Sequence, residues 1–449
     1  MRANWGSRLG FILSSAGATV GFGNLWRFPY LVGENGGGAF LILFLICVLI
    51  FGFTLFIAEA AIGRRAKANV LDAYKVKNTS KYWGLNGYVQ ILAVIATMSY
   101  FIVLAGWVIG YLFFVVTGKL EISSTQTSAD YKLIFNNMIS NFWYIVVCSL
   151  VFCLANYYIL RSGVSKGIER FSSILMPVLF IMLLILLIRS LTLDGSLKGL
   201  LFYITPDFSS FTFNSLLTIM SQVFFTLSIG FGIALTMGSF LNKDNNLFVS
   251  VGWIVLLDTL VAVVAGLIIF PAVFAFGLSP TQGSSLVFIA LPVIFTHIAF
   301  GEFLFILFLF VFLIAALTTT IANFEVIITT LQEKLSYNRS KASFVTIFLI
   351  FIFGSIPCIL AFGSWSNVKI LGLNFFQLMD FLSANVFCTL AALINIVFVG
   401  WVLKKETFVE LKQGADFFNI ESKYTKSWFI FIKYICPTLI LIVIIKSLF

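Results

Sequence analysis

Apolar runs of about 20 residues recur from one end of the chain to the other, and they limit what it can fold into. They lie near 8–32, 39–63, 86–117, 142–160, 171–191, 212–240, 247–276, 302–331, 343–361, 376–403 and 427–447, here numbered spans 1 to 11 in chain order. A helix of that length covers the roughly 30 Å of a bilayer's hydrocarbon core. Of the 449 residues, 60% are hydrophobic and 10% charged, whereas a soluble domain holds about a quarter charged. A soluble fold could not cover so much apolar surface, and the strand alternation of a membrane barrel is missing. The expectation is an all-α integral membrane protein with about 11 transmembrane helices, in a single domain over 1–449. A segment near 285–298 reads as amphipathic and too broken to span. The first apolar stretch is no cleavable leader, because it is Gly-rich, carries Asn24 and Arg27 and lacks a small-residue cleavage site.

The net charge of +10 is concentrated in alternate loops. One holds Arg64, Arg65, Lys67, Lys75, Lys77 and Lys81; the next Arg161, Lys166 and Arg170; then Lys334, Arg339 and Lys341; then Lys404, Lys405, Lys412, Lys423 and Lys426. Basic loops stay on the cytoplasmic side, so the N-terminus is expected inside the cell membrane and, after an odd number of spans, the C-terminus outside. No nucleic acid is needed to account for the charge. Cys47, Cys148, Cys153, Cys358, Cys388 and Cys436 all fall in apolar runs and read as small buried hydrophobes, without metal-ligand spacing. His297 is the only histidine. With neither a nucleophile–base pair nor a metal cluster in the spans, an enzyme is not expected. With no repeated charged ring or filter-like sequence, neither is a channel.

One internal echo organises the chain. Gly21-Phe22-Gly23 sits in mid-span 1 and Gly230-Phe231-Gly232 in mid-span 6, each following small hydroxyl residues: Ser14, Ser15 and Thr19, then Thr226 and Ser228. Paired glycine interruptions at corresponding places five spans apart point to inverted repeats with broken helices, here about 8–191 and 212–403, plus an extra C-terminal span at 427–447. The alternative is that these glycines only permit close helix packing. The nearby Asn24, Arg27 and hydroxyls weigh against that.

Ionisable groups inside a membrane are costly and suggest function; the candidates are Arg27, Glu59, Asp258, Glu325 and Asp380, with the oxygen donors Asn24, Thr226, Thr318 and Thr319. A broken helix offers free N–H groups to an anion and unwound carbonyls to a cation. Two such breaks side by side suit the carboxylate and ammonium of an amino acid. Hard cations take oxygen ligands, and this set supplies them. The alternative for Thr318 and Thr319 is a bond back to the carbonyl one turn earlier. Asp258, in mid-span, must be neutralised or bind a cation.

Six stretches carry a resemblance over essentially the whole chain. They are Trp5-Gly-Ser-Arg-Leu-Gly-Phe11 with Gly17-Ala-Thr-Val-Gly-Phe-Gly-Asn-Leu-Trp-Arg-Phe-Pro29 and Glu34-Asn-Gly-Gly-Gly-Ala-Phe40; Gly163-Val-Ser-Lys-Gly-Ile-Glu-Arg170; and Gln222-Val-Phe-Phe-Thr-Leu-Ser-Ile-Gly-Phe-Gly232 with Thr318-Thr-Thr320. The chain resembles the neurotransmitter:sodium symporters, and most of all their short prokaryotic members that lack a twelfth span. The resemblance implies two co-transported sodium ions and no other cofactor. The first ion would use the Thr19 carbonyl, Asn24, Thr226, Asp258 and the substrate carboxylate. The second would use the Gly17, Val20 and Ala315 carbonyls with the Thr318 and Thr319 hydroxyls. The substrate carboxylate would meet Gly21, Phe22 and Gly23, with Phe225, Thr226 and Ser228 near the ammonium. Thr97, Phe231, Thr319 and Asn323 would line the side-chain pocket. Arg27 and Asp380 resemble an outer gate with Phe231 as lid, and Arg2, Trp5 and Glu333 an inner latch. Glu59 resembles a protonated carboxyl that hydrogen-bonds the unwound part of span 6. The resemblance assigns Glu325 no role.

The chain departs from the family pattern in three places. Tyr100-Phe101 stands where two tyrosines are usual, so Phe101 brings no hydroxyl to the substrate carboxylate. Asp258 stands where animal members carry a neutral Asn and need chloride, and Phe44 replaces a chloride-binding Tyr; together these imply chloride independence. The absent twelfth span leaves oligomeric state open. The implied function is sodium-coupled symport of neutral L-amino acids into the cell by alternating access, with a lean towards aromatic or hydroxyl-bearing substrates, tyrosine or tryptophan first, because Thr97 and Asn323 make the pocket polar. The bland alternative is that these two residues satisfy each other. A proton-coupled transporter of the same fold should lose the hydroxyl pair of span 8, and a non-transporting sensor would share every binding residue.

Overall fold

The computed structural model describes residues 4–76, 80–120, 122, 128–209, 211–277, 288–289, 291–296, 299–414 and 422–448. Arg2, Lys77 and His297 lie outside the described residues, as do 285–287, 290 and 297–298 of the amphipathic segment near 285–298, of which Leu291–Thr296 is a short helix.

Among the described residues, nine continuous helices are long and apolar enough to cross a membrane: Gly38–Ala66, Lys81–Val116, Phe142–Arg161, Val164–Leu191, Leu247–Ala275, Gly301–Leu335, Arg339–Leu360, Phe375–Leu403 and Thr425–Lys446. They coincide with nine of the eleven expected spans. The other two, spans 1 and 6, are the interrupted ones. Span 1 runs as Arg8–Thr19, a wide turn Gly23–Arg27, and Phe28–Glu34. Span 6 runs as Phe213–Thr226 and Ile233–Ser239. The fold is helical throughout; the described residues contain only two isolated β-bridges.

Burial ranks the spans. Span 3 has 83% of its most apolar window covered by protein and lies at the centre, whereas span 11 has 22% covered and lies at the rim. Large apolar side chains such as Leu49, Trp143, Ile181 and Phe353 point outward, as helices in lipid require. Inside, small residues bring backbones together. A Cβ on Gly63 would sit 1.8 Å from the Leu235 carbonyl oxygen, and one on Gly238 2.5 Å from that of Ala60. The second half of span 6 is thereby fixed flat against span 2.

Three short helices lie between spans where the sequence suggested only loops: Ser128–Ser140, Ser196–Ile204 and Lys405–Lys412. The last brings Glu410 to Arg64, whose guanidinium is fully buried, with Nε at 2.7 Å from Glu410 Oε1 and Nη1 at 2.7 Å from the Asn245 carbonyl. The loop after span 2 is tied to the end of span 8. Asn69 donates to Glu333 from its backbone (2.9 Å) and its side chain (2.8 Å), and Lys334 Nζ lies 2.7 Å from Asp72. Partial burial works against ionisation of Asp72, but hydrogen bonds from Lys334, Lys75 and Asn69 outweigh it and bring the carboxyl down to about 2.

Candidate functional site

The two helix breaks face each other. The first helix of span 1 ends when Val20 turns to an extended conformation (φ −68°, ψ 98°). The chain re-enters helix only after Gly21, with the Asn24 side-chain oxygen accepting the Gly21 N–H at 3.2 Å. In span 6 the helix ends at Thr226. The following turn places Ser228 at φ +51°, Gly230 at +85° and Gly232 at +74°. Two groups hold the breaks in place. The Gln222 side-chain amide donates to the Gly23 carbonyl at 2.9 Å. Glu59, fully buried, accepts the Gly230 N–H at 2.9 Å and the Asn395 amide at 3.1 Å through the same oxygen.

One oxygen cluster gathers around Asp258. Asn24 Nδ2 lies 3.0 Å from Asp258 Oδ1 and 3.0 Å from its backbone oxygen, and the Thr226 hydroxyl lies 3.3 Å from Oδ2. All three residues are buried. Spans 1, 6 and 7 each contribute one side chain. Thr19 stands at the break itself, its hydroxyl turned back to the Ala16 carbonyl at 3.0 Å.

A second cluster joins span 8 to span 1. Thr319 Oγ1 donates to the Val20 carbonyl at 3.0 Å and approaches that of Gly17 at 3.4 Å. Thr318 turns back within its own helix, to the carbonyls of Ile314 (3.0 Å) and Ala315 (3.1 Å). Thr318 therefore back-bonds within span 8, whereas Thr319 crosses to span 1. The five positions expected to act together fall into two bonded groups, Thr318 with Ala315 and Thr319 with Gly17 and Val20, where spans 8 and 1 meet.

Between the clusters lies a nearly closed cavity of about 10 Å³, lined by Thr19, Gly21, Gly23, Thr97, Phe101, Phe225, Ser228, Phe231, Thr319 and Asn323. That is far below the volume of an open ligand site. Of the expected substrate residues, Phe22 and Thr226 stand just behind the wall. Phe22 packs edge-on to Phe101 with ring centroids 5.2 Å apart, and Thr226 faces Asp258. Thr97 and Asn323 do not satisfy each other. The Thr97 hydroxyl bonds the Ala93 carbonyl (2.9 Å) and Ser383 (2.5 Å). The Asn323 amide N–H bonds the Thr319 carbonyl at 2.9 Å, and its Oδ1 is buried without a partner.

The expected gates are less tightly joined. Arg27 and Asp380 form no ion pair within 4.0 Å; the guanidinium lies over the Phe225 ring, 4.6 Å from its centroid. Two of its nitrogens are buried without a hydrogen-bond partner. At the other end, the Trp5 indole donates to the Met237 carbonyl at 3.0 Å and packs against Phe11 and Phe240. Glu333 holds Asn69, and Arg2 lies outside the described residues. Phe44 packs on Phe28 with centroids 4.7 Å apart.

Several participants went unassigned in the sequence. Glu325 receives a two-armed bond from Arg339, at 2.7 and 2.6 Å, and a third from Thr329 at 3.0 Å. Gln222 and Asn395 are uncharged polar residues within apolar runs. That alone is a signal that they are bonded inside the bundle.

The model of the sodium:neurotransmitter symporter family matches residues 2–141 and 137–449. A sodium-dependent transporter of Haemophilus influenzae is 44% identical over 455 residues, spanning 100% of this chain and 98% of the relative. One from Bacillus subtilis is 37% identical over 443 residues, 98% of this chain and 97% of the relative. The crystal structure of MhsT in complex with L-phenylalanine superposes with a TM-score of 0.90 at 38% identity, covering 100% of both chains. The chain belongs to the sodium:neurotransmitter symporter family. It is a sodium-dependent membrane transporter and not an enzyme.

Proposed function

We propose that the protein carries neutral L-amino acids into the cell together with sodium, without chloride, by alternating access. The observation that carries this reading is the pair of oxygen clusters meeting at two helix breaks around one small cavity. In this reading Thr19, Asn24, Thr226 and Asp258 hold one ion beside the substrate carboxylate. Gly17, Val20, Ala315, Thr318 and Thr319 hold the second. The carboxylate meets the N–H groups freed at Gly21, Phe22 and Gly23, and the ammonium lies near Phe225, Thr226 and Ser228. Because the substrate carboxylate is itself a ligand of the first ion, each raises the other's affinity. Asp258 brings a fixed negative charge to the first ion, and Phe44 brings no hydroxyl, so no chloride is required.

The cavity lining supports a neutral substrate, since it contains no charged side chain. The aromatic wall of Phe101, Phe225 and Phe231, with Asn323 Oδ1 unpartnered, supports aromatic substrates, tyrosine and tryptophan included. The solved complex of MhsT with L-phenylalanine points the same way. The basic loops support an N-terminus in the cytoplasm and a C-terminus outside. Arg27, Asp380 and Phe231 form the outer closure in this reading, and Arg2, Trp5 and Glu333 the inner one. Glu59 fixes the span 6 turn. The repeats 8–191 and 212–403 move against each other, within a single domain.

The test is uptake of a panel of labelled amino acids into proteoliposomes under an inward sodium or potassium gradient, with chloride or gluconate as anion. Accumulation of aromatic neutral amino acids in sodium, equal in both anions, is expected. Uptake that needs protons and ignores sodium overturns the ion assignment, and a strict chloride requirement overturns the role of Asp258.

A further inference from the structure

The stretch Gly163–Arg170 takes no part in the cavity or the ion clusters. It nevertheless forms a distinct structure. Gly163, at φ +94°, opens a widened turn over Val164–Glu169 from which the rest of span 5 continues. The last residue of that turn, Glu169, is only 9% exposed and faces the start of span 1. Its Oε2 accepts the Gly6 N–H at 2.8 Å and its Oε1 accepts the Ser7 hydroxyl at 2.9 Å. The Ser7 oxygen in turn accepts the Gly10 N–H at 2.9 Å and so caps the helix Arg8–Thr19. A Cβ on Gly10 would lie 2.0 Å from Glu169 Oε1. Only glycine at that place lets the carboxylate lie against the helix. The charge also sits where a helix start favours an anion.

The same half-helix is held at its other end by the bonds from Thr319 to the Gly17 and Val20 carbonyls. Arg8 adds a bond from its Nε to the Ser250 hydroxyl of span 7 at 3.2 Å, but the attachments to spans 8 and 5 differ in kind. One is built from the oxygens proposed to hold an ion, and the other is a carboxylate from span 5 that needs no ion. We propose that Glu169 is a positioning residue, a latch that holds the first half of span 1 against span 5 and keeps the second ion site shut towards the cytoplasm. Its release accompanies inward opening. This rests on the transport reading above for the direction of opening and for sodium.

The test uses the purified full-length chain in detergent, with Ile12→Cys as a reporter. Ile12 lies on the latched half-helix and is 8% exposed, and the six native cysteines are buried. The rate of maleimide alkylation is measured in sodium and in potassium, against the chain without the reporter. Glu169→Gln and, separately, Gly10→Ala are each expected to raise the rate in potassium about 10-fold, the loss of one charge-assisted hydrogen bond. Gly10→Ala separates a latch from mere packing. Alanine favours helix over glycine, so without a latch this change stiffens span 1 and slows alkylation. If Glu169→Gln yields no folded protein, Gly10→Ala carries the test alone. Unchanged or slower alkylation overturns the proposal. The response of the Ile12→Cys reporter alone to sodium reads the ion site independently. If sodium protects nothing while the latch variants still accelerate, the latch stands and the sodium assignment falls.

Discussion

The breaks in spans 1 and 6 are written with the same three residues, Gly-Phe-Gly, and are built for different reasons. In span 6 the glycines supply backbone shape. Gly230 and Gly232 have φ of +85° and +74°, and the Gly230 position also lies against the Cys388 carbonyl, 2.1 Å from where a Cβ would be. In span 1 neither glycine has a positive φ. They supply room: a Cβ on Gly21 would lie 2.5 Å from Thr319 Oγ1, and one on Gly23 3.2 Å from the Phe225 ring. The two phenylalanines diverge as well. Phe231 lines the cavity, while Phe22 stands behind it against Phe101 and Phe312. An echo in sequence thus marks corresponding places in two repeats without making them equivalent. One break is a turn fixed by its own backbone, and the other is an extended crossing held open by its neighbours.

Substitutions can break or sharpen that contrast. Gly230→Ala should do most damage, because it combines a left-handed backbone, at about 1–2 kcal/mol, with overlap against a carbonyl, at about 1–3 kcal/mol. A large fall in thermal stability in detergent is expected; an unchanged midpoint would mean the turn is not backbone-determined. Gly21→Ala should leave stability nearly intact, because the obstructing atom is a side-chain hydroxyl. Displacing Thr319 should weaken apparent sodium affinity about 10-fold, equivalent to one 1.4 kcal/mol contact. A stability loss matching that of Gly230→Ala would erase the difference between the breaks. Gly23→Ala meets only the edge of a ring and should change both sodium and substrate affinity by less than about threefold.

The smallest effect should come from outside both breaks. The Asp72 carboxyl is depressed from 3.8 to about 2. Its contribution to holding the loop on span 8 is complete above its unfolded value near 4, and is lost as pH falls towards 2. Hydrogen exchange of residues 69–75 should rise over that window, and Asp72→Asn should flatten the change. Asp72 is a partly exposed group, and its effect on global stability should be small.

How much of this was legible in the sequence depended on whether the information was local. All eleven spans were, because a run of about 20 apolar residues is a local statement about thickness, and so were both breaks. The short helices Ser128–Ser140 and Lys405–Lys412 were not, because a few turns of mixed polarity take their shape from what they pack on. By sequence span 5 starts near 171, seven residues after its start in the structure, because the widened turn at Val164–Glu169 is polar and reads as loop. Pairings across elements were legible only through resemblance, which placed Asp258 beside Asn24 but left Glu325 unexplained. Its partner Arg339 lies across a turn on span 9, and no periodicity links the two. The role of Thr97 needed coordinates too, since its partner Ser383 is 286 residues away.

The central claim is that the two breaks make one site in which a cation and an amino-acid carboxylate are held together. Equilibrium binding of labelled L-phenylalanine to the purified protein tests it most directly, titrated with sodium at constant ionic strength against potassium, in the native chain and in Asp258→Ala. Binding that appears with sodium, is absent in potassium and is lost in Asp258→Ala is the predicted result. Binding of equal strength in potassium, or undiminished without the Asp258 carboxylate, would contradict it.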